Sequence, residues 1–267
     1  MTREPNTRRW HALTWEEVGQ CVAEGIDTAV LPVGATEQHG PHLGCGMDTE
    51  LADQLCARAA EAAGALLLPT LPFGCSIGHS RRWPGTLALQ PKTLIDVIKD
   101  IGDWVCASGV KRLIIVNSHV TNAAPLRCAL EMLRADHDDL MVAVVNSAHI
   151  SERVRERHFA DAEDWHANAA ETALMQAIAP ELVREDRLAT ADDPDRTVGC
   201  VFSHPVNRTS LNGVTGTPST ATPDDGRALF DWMVEDLTAL IRRAMREAPP
   251  LAHGYSASIY GDKVAAS

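Results

Sequence analysis

Carboxylates and imidazoles recur in this chain just past apolar, strand-like runs, where an open α/β sheet presents its ligand-binding side chains. Glu37 and His39 follow the run 28–33, and Asp48 comes shortly after them. His119 follows the run 111–117, and His166 and Glu171 flank the start of a later helical pattern. In an extended segment residues two apart project to the same side, so Glu37 and His39 can face one point in space. Asp48 can join two cations, because each oxygen of a carboxylate accepts its own bond. Imidazole and carboxylate together suit zinc, manganese or iron, and water between two such ions becomes a nucleophile at neutral pH.

Each residue alone has a plainer reading. Asp48 is a good N-cap for a helix beginning near residue 49; His119 alone is an ordinary loop histidine, and Glu171 a solvated helix carboxylate. His79 and Trp83 lie on a long Gly- and Ser-rich loop, 71–90, and are candidates for substrate contact or for loop packing. Trp165 is a further candidate contact. His166, close to a helix N-terminus, suits a proton carrier. What favours a site is the coincidence of several such residues on one edge. Ser76 and Ser118 lie outside any Gly-x-Ser-x-Gly elbow, and no glycine-rich phosphate loop follows the first strand.

The elements that must position these residues alternate in type. Strands are expected over 28–33, 65–70, 111–117 and 140–146. Helices are expected over 49–63, closed by Gly64, then 92–108, 122–135, 167–179 before Pro180, and 223–248. Alternation of this kind predicts an α/β fold, a three-layer α/β/α sandwich with a mainly parallel central sheet. Residues 151–164 are charged and 186–225 rich in turn signals. One domain is expected over 1–267, with its core at about 28–245 and a C-terminal tail at 249–267.

A formal charge of −12 argues against nucleic acid or an anionic membrane as partner. No run is long enough for a membrane span, and the first ten residues lack the apolar core of a signal peptide, so the cytoplasm is the expected compartment. Seven cysteines without a Cys-x-x-Cys pair indicate neither a disulfide framework nor a zinc ribbon, and most are expected to be small core residues.

The run from Pro32 to Leu43, Pro-Val-Gly-Ala-Thr-Glu-Gln-His-Gly-Pro-His-Leu, with Asp48 after it, resembles the signature of the creatininase family of metal-dependent amidohydrolases. Trp83-Pro84-Gly85-Thr86, the loop from Asn117 to Asn122, His166-Ala167 with Glu171-Thr172, and the segment 213–218 resemble further family motifs in the same order. The resemblance implies two divalent ions (Zn, Mn or Fe). Glu37, Asp48 and His119 would hold one, and Asp48, His39 and an acidic residue the other. Creatininase takes that acid from the position of Thr121, so Glu171 is the candidate here. His166 matches the proton-transfer histidine. A homo-oligomer, often a hexamer, is also implied.

Departures from the family pattern bear on substrate. Ser118, Val120 and Thr121 replace residues of the family's Asn-Gly-His-Gly-Gly-Asn loop, Asn168 stands at a glycine, and position 162 is alanine where creatininase has its closing tryptophan. The expected activity is therefore opening of an amide or cyclic amide C–N bond in a small polar molecule other than creatinine. The alternatives are a hydrolase that opens an inositol-derived ring ketone at a C–C bond, and a catalytically silent oligomeric binding protein.

Overall fold

The computed structural model describes residues 8–79 and 81–250. The first seven residues and 251–267, most of the expected tail, lie outside the described residues. In chain order the main elements are α1 (Trp15–Ala23), β1 (Thr28–Val33), α2 (Met47–Ala63), β2 (Leu66–Leu67), α3 (Pro91–Ala107), β3 (Arg112–Asn117), α4 (Ala123–Asp136) and β4 (Met141–Asn146). They continue with α5 (Glu152–His158), α6 (Ala169–Ile178), two short turns of helix, α7 (Glu185–Leu188) and α8 (Val206–Thr209), and α9 (Pro223–Ala244).

The strands form one parallel sheet in the order β2-β1-β3-β4. Side-chain alternation along them divides the core into two layers. Ala29, Leu31 and Val33 of β1 pack with Leu113 and Ile115 of β3 against Leu94, Ile98, Leu126 and Leu133 of α3 and α4. Val30, Ile114 and Val116 face Leu51, Leu55, Leu174 and Leu237 of α2, α6 and α9. This is the expected α/β/α sandwich. Gly64 closes α2 in the left-handed conformation (φ 80°), where a side chain would be strained.

Several boundaries differ from the sequence pattern, each for a local reason. The second strand keeps two residues because Pro32 of β1 has no N–H to give its neighbour and Pro69 interrupts the other side. Pairing resumes where Leu71 N–H donates to the Pro32 carbonyl (3.0 Å) and Gly34 N–H to that of Leu71 (3.0 Å). The stretch 151–164, read only as charged, holds α5, whose Ser151 hydroxyl accepts the Val154 N–H. α1 lies outside the expected elements, and Thr14 and Glu17 make a full capping box at its start. α6 starts two residues late because Asn168 is its cap. Of the seven cysteines, Cys56 and Cys75 are buried in the core and Cys21 and Cys106 pack partly buried against it, as expected of small core residues. No described helix is long and apolar enough to cross a membrane.

α9 holds α6 in place through backbone contact. A Cβ on Gly226 would come 1.8 Å from the Ala173 carbonyl oxygen of α6. That oxygen belongs to a helix and cannot swing aside. Gly226→Ala is therefore expected to push the helices apart and to lower stability by about 1–3 kcal/mol, read as an earlier urea midpoint with the slope unchanged.

Candidate active site

The site lies past the carboxyl ends of β1 and β3. β1 ends at Val33 and leads into the loop bearing Glu37 and His39; β3 ends at Asn117 and delivers His119. Asp48 sits in the first turn of α2 and Glu171 in that of α6. All five are buried. With His166 they line a cavity of about 430 Å³, in which no lysine or arginine is found among the described residues.

Two triads place ligand-type atoms within 4.8 Å of one another, Glu37-Asp48-His119 and His39-Asp48-Glu171, and they share Asp48. Glu37, His39 and His166 form a third such group. Three imidazoles are anchored at one nitrogen on a backbone carbonyl: His39 Nδ1 on Glu37 (3.1 Å), His166 Nδ1 on Gly213 (2.8 Å) and His119 Nε2 on Cys75 (3.2 Å). A carbonyl only accepts, so the proton of a neutral ring rides on the anchored nitrogen and the other nitrogen offers a lone pair. Those free nitrogens face carboxylates. His39 Nε2 is 3.6 Å from Asp48 Oδ1, His119 Nδ1 is 3.3 Å from both Glu37 Oε1 and Asp48 Oδ2, and His166 Nε2 is 3.0 Å from Glu37 Oε1.

Lone pairs opposed to carboxylates repel unless a proton or a cation lies between them. Burial alone would lower the pKa of His39, but Asp48, Glu171 and Glu37 overcome it and raise it to about 10. His119 is raised to about 9 against burial by Glu37 and Asp48. Glu37 in turn is held well below the carboxylate range, burial being outweighed by His119, His166 and His79. Burial pushes Glu171 upward. Glu37 Oε2 and Asp48 Oδ2 are buried without a hydrogen-bond partner, although His119 lies close to the latter. Orphaned carboxylate oxygens beside imidazole lone pairs, with no basic side chain, are the donor set of a divalent-cation centre.

Other residues fix this arrangement. The Ser118 hydroxyl lies 2.6 Å from the Asp48 carbonyl and 3.2 Å from that of Val33, tying the β3 loop to the start of α2. Thr121, two residues after His119, has its hydroxyl against His119 Nε2, the nitrogen turned away from Glu37 and Asp48. His166 precedes α6 instead of opening it. Ala167, at φ 50°, turns the chain between them and donates its N–H to Glu171 Oε2 (2.6 Å). A spacing of five thus brings His166 and Glu171 to one cavity without a shared helical face. His42 Nε2 lies 2.9 Å from the Thr172 hydroxyl, joining the loop after β1 to α6.

The sequence-based substrate contacts separate. His79 and Trp165 line the cavity, and Trp83 does not. Its ring instead lies under the Arg82 guanidinium, 5.0 Å away, while Thr86 of the same motif accepts the Gln38 N–H (3.0 Å) and supports the metal-type loop. Phe159, His149 and His204, outside the sequence motifs, also line the cavity. His204 comes from the turn-rich stretch 186–225, where nothing in the pattern marks a side chain as inward-facing.

The family profile for creatininase, described as creatinine amidohydrolase, matches residues 11–241. The chain belongs to the creatininase family. It is 32% identical over 255 residues to creatinine amidohydrolase of Pseudomonas putida, covering 89% of this chain and 96% of that protein. It is 31% identical over 225 residues to the mycofactocin precursor peptide peptidase of Mycobacterium ulcerans, covering 80% and 84%. A solved mutant creatininase of Zn-Zn type superposes with a TM-score of 0.78 at 30% identity, covering 90% of this chain and 99% of that one. The protein is thus a hydrolase of this family with clusters suited to divalent metal.

The cap of α6 tests how firmly Glu171 is held. Asn168 Oδ1 accepts the Glu171 N–H (3.1 Å), and its Nδ2 donates to the His158 carbonyl (2.8 Å) and to Asp161 (2.7 Å). Asn168→Ala loses the cap and leaves a buried carbonyl unpaired, so stability should fall by about 2 kcal/mol in urea denaturation. An unchanged midpoint would show that the cap does not hold α6.

Proposed function

We propose that this protein is a binuclear metal-dependent hydrolase that opens an amide or cyclic amide C–N bond in a small polar molecule. The observation that carries the reading is the pair of carboxylate-imidazole triads joined at Asp48, on one wall of a cavity of small-molecule size. The names of the two relatives, an amidohydrolase and a peptide peptidase, support hydrolysis at an amide.

On this reading Glu37, Asp48 and His119 hold one divalent ion, and His39, Asp48 and Glu171 the other. The ion pair would polarise the scissile carbonyl and activate a water for attack on it. Zinc is supported by the Zn-Zn type neighbour, and manganese and iron suit the same donors. His166, with Nδ1–H fixed on Gly213, offers Nε2 at the cavity to carry a proton to the leaving nitrogen. Phe159 and Trp165 supply apolar wall, and Glu163 and Asp164, which have no ion pair among the described residues, line the same cavity. That lining disfavours an anionic substrate. A freely diffusing neutral or cationic amide fits these features.

Elemental analysis of the protein purified without chelator tests the reading. About two equivalents of metal are expected, falling to about one in Glu171→Ala and further in His119→Ala, with hydrolysis lost in the latter. A folded protein without bound metal would sink the proposal.

A further inference from the structure

The cavity holds a further buried imidazole, His79, whose polarity is the reverse of the three anchored on backbone carbonyls. His79 lines the cavity beside His166, their ring centroids 4.4 Å apart. Its Nδ1 lies 3.1 Å from Gln38 Nε2. The orientation of the Gln38 amide is fixed at both ends. Its Oε1 accepts the Gly40 N–H (3.0 Å), and its Nε2 donates to the Gly213 carbonyl (3.3 Å). Turned over, the amide would set NH₂ against an N–H and oxygen against a carbonyl oxygen, so both contacts would become repulsive. The second hydrogen of Nε2 therefore goes to His79, whose Nδ1 accepts it. Glu37 Oε1, at 3.7 Å, is too far to claim a proton on that nitrogen. A neutral ring that accepts at Nδ1 carries its hydrogen on Nε2, and Nε2 has no partner among the described residues.

We propose that His79 presents Nε2–H to an oxygen of the substrate beside the scissile bond, and that Gln38 is the positioning residue that holds this tautomer. The assignment rests on the hydrolase reading above. It divides labour in the cavity: His39, His119 and His166 present lone pairs, while His79 presents a hydrogen where charge grows on an oxygen during attack. A neutral ring suits the task, and the Gln38 amide N–H directed at Nδ1 leaves the single ring hydrogen on Nε2.

The test uses the zinc-loaded full chain with ¹⁵N-labelled histidine, and acetohydroxamate, a small acyl chelator, as the probe. Long-range ¹H–¹⁵N correlation should show His79 protonated at Nε2 only, and Gln38→Leu should scramble that signature while zinc content stays unchanged. Calorimetry should find acetohydroxamate bound about tenfold more weakly by Gln38→Leu and by His79→Leu, with His79→Asn, which keeps an N–H donor, recovering part of the loss. A wild-type His79 protonated at Nδ1 would overturn the tautomer assignment. Equal affinity in wild type and His79→Leu, both zinc-loaded, would overturn the donor role alone. Loss of zinc from the wild type, or full zinc with no acetohydroxamate binding at all, would instead defeat the hydrolase reading and the donor role with it.

Discussion

Three carboxylates, Glu37, Asp48 and Glu171, are buried together with no lysine or arginine among the described residues of their cavity, and the surrounding structure is organised around that charge. Leaving an ion buried and uncompensated costs several kcal/mol, while a whole domain is stable by only about 5–15 kcal/mol. Neutral imidazoles anchored on backbone carbonyls would not relieve the cost, because they would turn lone pairs toward the same oxygens. Protons on His39 and His119 are one remedy, and the raised pKa values of both rings express it. Divalent cations are the other, and they also satisfy the orphaned oxygens of Glu37 and Asp48. The same charge that would destabilise an empty site makes a strong one when filled.

Such a cluster works only if its members are held to within a fraction of an ångström, and the fold provides this through short links from rigid elements. β1 and β3 are paired over six residues and end side by side, Val33 opposite Asn117. Ser118 then bonds to the backbone of both Val33 and Asp48, so the end of β1, the loop after β3 and the start of α2 move as one. Glu171 needs a longer chain of support. α6 is fixed by the Asn168 cap, by the His42–Thr172 contact and by its close approach to α9 at Gly226. The position at which the family's glycine gives way to Asn168 is thus a structural gain, since the new side chain makes three hydrogen bonds. Ser118 likewise replaces a small residue and ties together elements that bear ligand-type atoms.

Much of this was legible in the sequence because it follows from local rules. The apolar runs set the strands, Gly64 and Pro180 set helix ends, and the ligand-type residues at strand ends pointed to one edge. The two-sided sandwich followed from alternation of type alone. What the sequence hid depends on long-range partners. The brevity of β2 comes from a proline in its neighbour, and α5 lacks a clear apolar stripe. Trp83 stands in a motif but serves its loop through Thr86, which spacing does not reveal. His204 and Phe159 reach the cavity from segments whose composition is that of surface. The approach of His166 to Glu37 depends on one turn at Ala167, a residue type that rarely adopts positive φ.

Hydrogen-bond polarity was the least legible feature, because it belongs to networks and not to residues. A histidine in a sequence is donor and acceptor alike. Here its role is set by whatever grips the opposite nitrogen: a carbonyl makes it present a lone pair, and an amide NH₂ makes it present a hydrogen. Three successive residues take both parts. Glu37 and His39 join the carboxylate cluster, while Gln38 between them contacts Gly213 and His79. The Gly213 carbonyl accepts from both Gln38 and His166, so a single backbone oxygen sets the polarity of two imidazoles, His166 directly and His79 through the amide. A shift of the 213–216 segment would therefore disturb both rings together, which couples His166 and His79 through one peptide group and no shared side chain.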